Sequence, residues 1–330
     1  MKITKVTISA YELLRKFPDA ESARVYLEQL RWGGKPVCPR CEASKNQSRQ
    51  KRRGKAGHYF CYHCKKTYTV RTGAIFDHSH IPLDKWIFAI YLVVTARKGI
   101  SSLQLSKEIG VTQKTAWFLL HRVREACKNP DDCFNLLQGV VEADEVYMGG
   151  IEKNKHEWKK LKKGRGTVGK IAVLGMRERG EGGHTRCKVI HNTTARTVQA
   201  ELNATIAEGA TLCTDEAKVY RDSNYDHEVV NHSAKQFVDG MAHTNGIESI
   251  WAVLQRAYYG TYHFFTRKHL QRYVDEVGFR LNEGNVRIHT MDRIDALLGK
   301  AFFQRITYSE LIAEPMIDSM DKLIDEILAA

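Results

Sequence analysis

The chain has 330 residues and a formal net charge of +13 at pH 7. This length allows two or three domains with at least one core of ordinary size, and the surplus of basic residues favours a polyanionic partner. No run of eighteen apolar residues occurs, and the N-terminus lacks the continuous apolar core of a signal peptide, so the sequence predicts neither a membrane span nor export.

The N-terminal residues are predicted to be helical. Apolar residues recur at helical spacing through residues 10–30, and Pro18-Asp19 interrupts them. The pattern predicts two short helices that end at Trp32-Gly33-Gly34. We treat residues 1–33 as an N-terminal helical segment.

Two Cys-x-x-Cys pairs follow, Cys38 with Cys41 and Cys61 with Cys64, separated by nineteen residues. Each pair can supply two thiolates from one tight turn, and four thiolates suit a tetrahedral structural zinc ion. We therefore predict a zinc ribbon over residues 34–74 with one Zn²⁺, which replaces a hydrophobic core in so small a segment. The other four cysteines are scattered, which favours buried free thiols over disulfides.

The predicted zinc ribbon is the most basic part of the chain. From Arg31 to Arg71 there are twelve Lys or Arg residues and a single acid, Glu42, which gives a local charge of +11. Such a surface is typical of phosphate contact, although a solvated face is the alternative. Lys51, Arg52 and Arg53, in the spacer between the cysteine pairs, are the predicted DNA contacts of this unit.

Residues 75–132 are predicted to form a helical DNA-binding domain. Within Ile100–Arg124, a short helix Leu103–Ile109 is followed by a turn at Gly110 and a second helix over Thr112–Val123. Capped helices joined in this way are typical of a helix-turn-helix. Plain helical packing produces the same pattern, so the basic neighbouring unit is what favours DNA binding.

The second helix of this pair carries the predicted groove or phosphate contacts. They are Gln113, Lys114 and His121, which we expect to be exposed.

After a turn at Asn129–Asp132 the pattern changes to strands. The predicted strands are Gly139–Met148, Val168–Met176, Arg186–His191, Ala210–Thr214 and His227–Asn231, with a helix from Ala195 to Glu208 between the third and the fourth. Three strands, a helix and another strand is the element order of an RNase H-like α/β fold, which we assign to residues 133–285. Between the first two strands, Lys153–Lys170 holds eight Lys or Arg and one acid, which is typical of a mobile basic loop.

Three acids are candidate metal ligands. Two metal ions about 3.5–4 Å apart can stabilise the attacking and leaving oxygens of a phosphodiester reaction together, and carboxylates converging from several elements can hold them. The candidates are Asp144 at the end of the first strand, Asp215 after the fourth strand, and Glu248 at the edge of an apolar helix stripe. Strand alternation puts Asp144 and Glu145 on opposite faces, so only one of them serves. The residues alone leave Glu145 as an alternative to Asp144, and Glu216 as an alternative to Asp215.

These motifs together resemble the zinc-ribbon DDE transposases of bacterial insertion sequences. The matching strings are CPRC, CYHC, DEVYMGG (144–150), NKH (154–156), TDEAKVY (214–220), VNHS (230–233), HTNGIESIWAVLQR (243–256), GTYH (260–263) and KHLQRYVDE (268–276). They follow the family's order and cover most of residues 20–285. The resemblance implies an enzyme with an RNase H-like catalytic domain that cuts DNA at transposon ends and transfers the freed strand to target DNA.

The resemblance also implies the site and its partners. It selects Asp144, Asp215 and Glu248 as the catalytic triad with two Mg²⁺ or Mn²⁺ ions. The implied partners are terminal inverted repeats, target DNA and further copies of the chain on the DNA, in a cytoplasmic, nucleoid-associated protein. Related transposases carry Lys or Arg seven residues after the catalytic Glu to contact the terminal nucleotides. This chain has Gln255 there, followed by Arg256, and both are candidate DNA contacts.

The whole sequence therefore predicts a multidomain α+β protein: an N-terminal zinc ribbon, a helix-turn-helix, an RNase H-like catalytic domain and C-terminal helices over residues 286–330. The amphipathic pattern of those last helices leaves open whether they pack on the catalytic domain or on a second protomer. Two other functions fit part of the pattern. A non-catalytic or domesticated DNA-binding protein would explain Gln255, and an RNase H-like nuclease without strand transfer would share the triad. The presence of all three acids favours the transposase.

Overall fold

The structure is a computed structural model that describes residues 7–49, 56–128, 135–150, 153, 156–161, 166–180, 182–215, 218–220, 223–230 and 244–313. The chain divides into two compact units. The first comprises Met1–Thr95, Ser101–Cys127 and Val286–Ala330, and the second comprises Ala96–Ile100 and Lys128–Asn285. The mixed α+β class is confirmed.

The first unit begins with two capped helices, α1 (Ala10–Lys16) and α2 (Ala20–Trp32). Ser9 caps α1 and Asp19 caps α2, because each side chain accepts a backbone N–H of the first turn that has no partner within the helix. Gly33 ends α2 at φ 57°, a left-handed conformation that glycine adopts without strain. The two predicted short helices are confirmed.

A small antiparallel sheet follows, formed by β1 (Gln47–Arg49), β2 (Tyr59–Cys61) and β3 (Lys66–Tyr68) in that order. Its core consists of few side chains. The rings of Tyr59 and Tyr68 stack with centroids 5.5 Å apart, and Trp32 meets both rings edge-on. So small a core needs a further constraint, which the neighbouring cysteines provide.

Three helices complete this part of the chain: α3 (Leu83–Thr95), α4 (Ser102–Ile109) and α5 (Gln113–Cys127). Ser101 caps α4, and Gly110 ends it at φ 64°. The predicted helix pair with a turn at Gly110 is confirmed, and its use as a helix-turn-helix on DNA stays a prediction. In the described part of the chain, no helix is long and apolar enough to cross a membrane.

The second unit is built on a five-stranded sheet. Its elements are β4 (Val140–Met148), β5 (Ile171–Glu178), β6 (Thr185–Ile190), α6 (Ala195–Thr205), β7 (Thr211–Asp215) and β8 (Asp226–Val230). The strand order is β6-β5-β4-β7-β8; β4, β5 and β6 pair antiparallel, whereas β7 pairs parallel with β4 and with β8. The central strand β4 therefore meets both halves of the sheet.

Helices cover both faces of this sheet, so the two faces of β4 have different neighbours. Val141 and Ala143 belong to a core shared with α6, whereas Val146 and Met148 belong to a core shared with α7 (Asn245–Ala257) and α8 (Arg267–Leu281). Successive side chains of a strand point to opposite faces. The even-numbered residues of β4, Asp144 among them, consequently lie on the α7 face.

The chain then returns to the first unit with α9 (Thr290–Ala301) and α10 (Tyr308–Ile312). Helix α9 packs against α2, α3 and α5. Arg293 donates to the carbonyl of Val94 at 2.8 Å, and Tyr26 donates to the Asp295 carboxylate. The sequence had left the catalytic domain or a second protomer as packing partners for the C-terminal helices; the described part of this segment buries its apolar face within the first unit instead.

Candidate metal centre and carboxylate site

Four cysteines of the first unit form a compact sulfur cluster. The Sγ atoms of Cys38, Cys41, Cys61 and Cys64 all lie within 4.8 Å of one another. Cys38 and Cys64 are 3.7 Å apart, and Cys41 and Cys61 are 3.6 Å apart. A tetrahedral zinc ion with Zn–S bonds of about 2.3 Å separates its sulfur ligands by about 3.8 Å. The cluster fits one structural Zn²⁺, as the sequence predicts.

Each cysteine pair lies in its own turn, and the two turns have the same backbone form. The residue after each pair, Glu42 and Lys65, has a left-handed backbone with φ of 56° and 55°. The backbone N–H of Cys64 and the side chain of Gln47 lower the pKa of the Cys61 thiol, whereas the pKa values of Cys41 and Cys64 are raised, with burial and the neighbouring thiols among the causes. Since the thiolate is the form that binds metal, the donors around Cys61 favour the ligand state of that residue.

The predicted DNA contacts of α5 divide into two exposed residues and one buried residue. Gln113 and Lys114 are exposed; the Gln113 amide donates to Ser102 Oγ at 2.9 Å, and the Lys114 ammonium lies 5.1 Å from the Tyr308 ring centroid. His121 has no exposed surface, so the expectation that it is exposed was wrong. All residues from Leu119 to Arg124 are buried, which leaves that turn of α5 without a solvent face.

The remaining predicted contacts of the first unit, Lys51, Arg52 and Arg53, lie outside the described residues. They stay predictions from the charge of the spacer.

Asp144 interacts with both other acids of the predicted triad. Burial raises the pKa of its carboxyl, and the Asp215 and Glu248 carboxylates add to that rise, whereas the hydrogen bond from Trp251 opposes it. The Trp251 indole Nε1 donates to Asp144 Oδ2 at 2.8 Å. Asp144 is therefore close enough to Asp215 and to Glu248 for their negative charges to repel its own.

The register of two parallel strands explains how Asp144 and Asp215 meet. The last residue pair of β4 and β7 is Glu142 with Cys213, and each acid follows two residues later on its strand. Asp144 and Asp215 are therefore level with each other and point to the same face of the sheet. Glu248, on α7, approaches from that same face.

Glu145 points to the opposite face, as the alternation of the strand predicts. The pKa of Glu145 is raised to about 7: burial is the largest cause and the Asp144 and Asp215 carboxylates add to the rise, whereas the Tyr220 hydroxyl opposes it. Tyr220 lies in the core shared with α6. Glu145 is thus separated by the sheet from the helix that carries Glu248.

Helix α7 is fixed to β4 at two levels. At its first turn, the backbone N–H of Ile247 donates to Glu142 Oε2 at 2.9 Å, and Arg179 Nε donates to Glu142 Oε1 at 2.7 Å. A carboxylate there satisfies an N–H without a helical partner and favours the positive end of the helix dipole. One turn later, Trp251 holds Asp144. These two bonds set the distance between the strand acid and the helix acid.

The helix acid is itself oriented by its own first turn. Thr244 Oγ1 donates to Glu248 Oε1 at 3.1 Å. The Glu248 side chain is exposed, which leaves it open to solvent and to a ligand.

Two glycines allow α7 to lie this close to the sheet. Gly175, the β5 partner of Asp144, faces α7: an added Cβ would overlap the Trp251 ring and lie 2.7 Å from Ile247 Cδ1. A Cβ at Gly246 would lie 2.6 Å from Glu142 Oε2. Sequence reasoning missed Glu142, Trp251 and Gly175; a glycine inside a strand was the one local sign of a close approach.

The donor set of this site suits a hard divalent cation, since carboxylate oxygens are the ligands that Mg²⁺ and Mn²⁺ take. Among the described residues, the four cysteines are the only such group with all ligand atoms within 4.8 Å of one another.

Gln255 and Arg256 are both exposed on α7. A helix turns about 100° per residue, so Gln255 stays within about 20° of the Glu248 direction while Arg256 points about 80° away. Arg256 therefore does not replace a basic residue at position 255.

Comparison with known proteins agrees with both sites. Residues 136–282 match the ISXO2-like transposase domain, and residues 18–67 match the transposase zinc-ribbon domain. An uncharacterized protein in transposable element ISH50 of Halobacterium salinarum is 28% identical over 255 residues, which cover 74% of this chain and 84% of that protein. The zinc-ribbon match includes the four cysteines, and the transposase match includes all three acids. Over residues 18–67 and 136–282, the chain is therefore similar to zinc-ribbon transposases of the ISXO2-like type.

Proposed function

We propose that this chain is an active DDE transposase that binds the terminal inverted repeats of its own insertion sequence, cuts the DNA there and joins the freed end to target DNA. The observation that carries the proposal is the placement of Asp144, Asp215 and Glu248 on one face of the sheet, by the register of β4 with β7 and by the contacts that fix α7 to β4. The strand order with β4 at the centre supports an RNase H-like catalytic domain.

Two Mg²⁺ or Mn²⁺ ions, held by Asp144, Asp215 and Glu248, would neutralise the scissile phosphate and activate the oxygen nucleophile. The protein's own groups hold the ligands in place. Trp251 fixes one oxygen of Asp144 and favours its ionised form, and Thr244 orients Glu248.

The reaction consists of two displacements at phosphorus. In the first, a water oxygen attacks the phosphorus at the transposon end, the bond to the 3′ oxygen breaks, and that oxygen takes a proton. In the second, the freed 3′-hydroxyl oxygen attacks a target phosphorus, loses its proton, and displaces the neighbouring 3′ oxygen of the target strand. Both displacements need the same charge neutralisation, so one carboxylate site serves both.

The basic surfaces are proposed to hold the DNA. Lys51, Arg52 and Arg53 of the zinc ribbon, together with Gln113 and Lys114 of α5, would contact phosphates or a groove. Binding of two DNA ends requires more than one copy of the chain, so we propose a homo-oligomer on DNA. We also propose that the protein is associated with the nucleoid. The proposed domains are the zinc ribbon at residues 34–74, the helical DNA-binding domain at 75–132 and the catalytic domain at 133–285.

The competing function is a domesticated, non-catalytic DNA-binding protein, and Gln255 is the observation that favours it. A chain that had lost catalysis would not need to retain three neighbouring carboxylates, since mutual repulsion between acids is unfavourable. The acids therefore weigh more than the single substitution.

The test is an end-cleavage assay on the DNA that flanks the reading frame. Short inverted repeats should be present on both sides, and a duplex carrying one of them should be nicked and joined to target DNA in Mg²⁺. Asp144→Asn should abolish both products while DNA binding remains, whereas Asp226→Asn, at an exposed acid of β8, should behave as wild type. Cleavage that survives Asp144→Asn would overturn the proposal.

A further inference from the structure

The chain after α7 has an unusual backbone. Residues Tyr258–Tyr262 form one π-helical turn, and His263 follows with φ 59°. Single π turns occur often at functional sites, and a left-handed residue other than glycine is uncommon. This segment contains the GTYH motif, which has no role in the chemistry of the carboxylate site.

The π turn and the residues after it present aromatic rings to solvent. Tyr259 is 64% exposed and Phe264 is 67% exposed, and His263 between them is exposed as well. Single exposed apolar residues are ordinary, but several exposed rings within six residues of one structured segment indicate a binding surface.

These exposed rings rest on a rigid base. Tyr258 is buried and meets the Tyr259 ring edge-on at 5.1 Å, and it packs against Phe265 at 5.0 Å. Tyr262 packs against Tyr273 at 4.8 Å and donates to Glu276 Oε1 at 3.0 Å. The Tyr259 ring is therefore supported by a packed base before any ligand arrives, which lowers the entropic cost of binding.

The same turn is tied to a short segment from earlier in the second unit. Gly99 lies against Tyr262 so closely that an added Cβ would overlap the Tyr262 hydroxyl. Its neighbour Lys98 is exposed, and a Cβ at Gly260 would lie 4.0 Å from Lys98 Cδ. A basic side chain thus stands beside the exposed rings.

The position of Tyr259 connects this surface with the carboxylate site. Gln255 lies within about 20° of the Glu248 direction on α7, and Tyr259 follows it by four residues, in the π turn that continues this helix. A DNA strand that runs from Glu248 past Gln255 toward the end of the helix therefore reaches the π turn and its exposed rings.

We propose that Tyr259, His263 and Phe264 form a stacking platform that holds unpaired nucleotides of the strand leading to the carboxylate site, with Lys98 on the phosphates. Aromatic rings interleaved with basic side chains are how proteins hold single strands without reading their sequence. The proposal rests on the proposed function for the identity of that strand. The platform would also bind the DNA end, to which Gln255 cannot contribute the positive charge that related transposases have at this position.

The platform is tested with the full-length protein and no added divalent metal. The probes are a fluorescein-labelled single strand of twelve thymidines and a duplex of equal length, and the readout is fluorescence anisotropy. Stacking contributes about 1–3 kcal/mol per base, so Tyr259→Ala and Phe264→Ala should each weaken single-strand binding about five-fold or more. Duplex binding should be unchanged, because the platform contacts only unpaired bases.

Two substitutions at Tyr259 separate stacking from simple apolar contact. Tyr259→Phe keeps the ring and should bind as wild type, whereas Tyr259→Leu keeps apolar area without a ring and should bind as weakly as Tyr259→Ala. Phe303→Ala removes a ring of the first unit that is 82% exposed, and it should change nothing.

Unchanged single-strand binding in Tyr259→Ala, or full binding in Tyr259→Leu, would overturn the proposal. A loss of self-association in the alanine variants with intact DNA binding would do so too, because a second copy of the chain would then be the occupant. The two proposals fail separately. Normal end cleavage with no effect of the platform variants rejects the platform alone, and absent cleavage with a clear loss of single-strand binding rejects the transposase reaction alone.

Discussion

Glu142 is the residue on which the geometry of the carboxylate site depends most. It is 1% exposed, yet its two oxygens accept from Arg179 and from the first turn of α7. A buried charge is tolerated when it is paired and hydrogen-bonded, and both conditions are met here. Since Asp144 follows two residues later on the same face, Glu142 fixes the helix that carries Glu248 against the strand that carries Asp144.

Removing this carboxylate should cost much of the stability of the second unit. Glu142→Ala removes the buried carboxylate that accepts from the partly buried Arg179 and from the Ile247 N–H, and breaking a buried ion pair costs about 3–5 kcal/mol in the free energy of unfolding. Glu142→Gln keeps an oxygen for the Ile247 N–H and should cost less. Urea unfolding followed by tryptophan fluorescence measures both, and equal losses in the two variants would show that the helix cap contributes nothing.

For single residues, the sequence predicts the side-chain orientations that follow from strand periodicity. It does not predict roles that depend on contacts with residues far away in the chain. The opposite orientations of Asp144 and Glu145 follow from a period of two. The role of Glu142 depends on Arg179 and Ile247, which are far away in the chain and give no local signal. His121 was placed on a solvent face because its own type is polar, whereas its neighbours on α5 are buried all round.

At the scale of elements, the contact between β5 and α7 is the closest packing in the site. It depends on Gly175, because any side chain there would enter the space of Trp251 and Ile247. Trp251 also holds Asp144, so a shift of α7 would disturb stability and geometry together.

Gly175→Ala should therefore lower the free energy of unfolding by about 1–3 kcal/mol, as overpacked cores do. Gly278→Ala is the matched control. It lies within α8 with open space around an added Cβ, and should raise stability by about 0.5–1 kcal/mol because alanine favours the helix. Equal effects of the two substitutions, measured by chemical unfolding, would contradict the close packing of α7 on β5.

The contact between α2 and α9 should make the first unit sensitive to pH. Burial and the nearby Asp292 raise the pKa of Asp295 above its ordinary value of 3.8, although Tyr26 and Lys16 oppose the rise. The folded state then holds this proton more tightly than the unfolded state, so its contribution to stability falls as pH rises from about 4 through the raised pKa.

Asp295→Asn keeps an oxygen that accepts from Tyr26 but removes the charge. The variant should match the wild type near pH 4 and become relatively more stable as pH rises toward 7. Unfolding free energies measured across this range provide the check, and a constant difference between the two proteins would exclude Asp295 as the titrating group.

Most helices and strands could be predicted from periodicity and caps, with bounds that differ by a few residues. Ile171–Glu178 begins later than the predicted strand Val168–Met176, because Gly169 and its neighbours form the turn into it. The π turn after α7 was not predicted, because its residues continue the helical pattern of the residues up to Ala257. The partner of α9 could not be predicted, because amphipathicity shows that a face is buried without showing what covers it.

In the whole molecule, the first unit is built from segments that lie on both sides of the second unit in the sequence. Residues 286–313 return to the first unit, so most of the second unit is inserted between α5 and α9. The zinc ribbon belongs to the same compact unit as these returning helices, and Arg31 joins them by donating to the carbonyls of Val70, Thr72 and Phe302.

Loss of zinc should therefore disturb the first unit and spare the second. Chelation should release about one zinc ion per chain, as one site with four thiolates requires. Cys61→Ser should retain less metal and unfold the ribbon, while the unfolding transition of the second unit remains. Metal analysis with calorimetry measures both effects, and a chain that releases no zinc would contradict the four-thiolate site.

Exchange of the Asp144 carboxylate for sulfur tests most directly whether this residue holds a metal ion that takes part in DNA cleavage. Thiolates bind softer ions in preference to Mg²⁺. Asp144→Cys should be inactive in end cleavage with Mg²⁺ and regain at least part of its activity with Co²⁺, while Glu145→Cys, on the other face of β4, should show no such change of metal preference. Full activity of Asp144→Cys in Mg²⁺ would show that Asp144 is not a ligand of that ion.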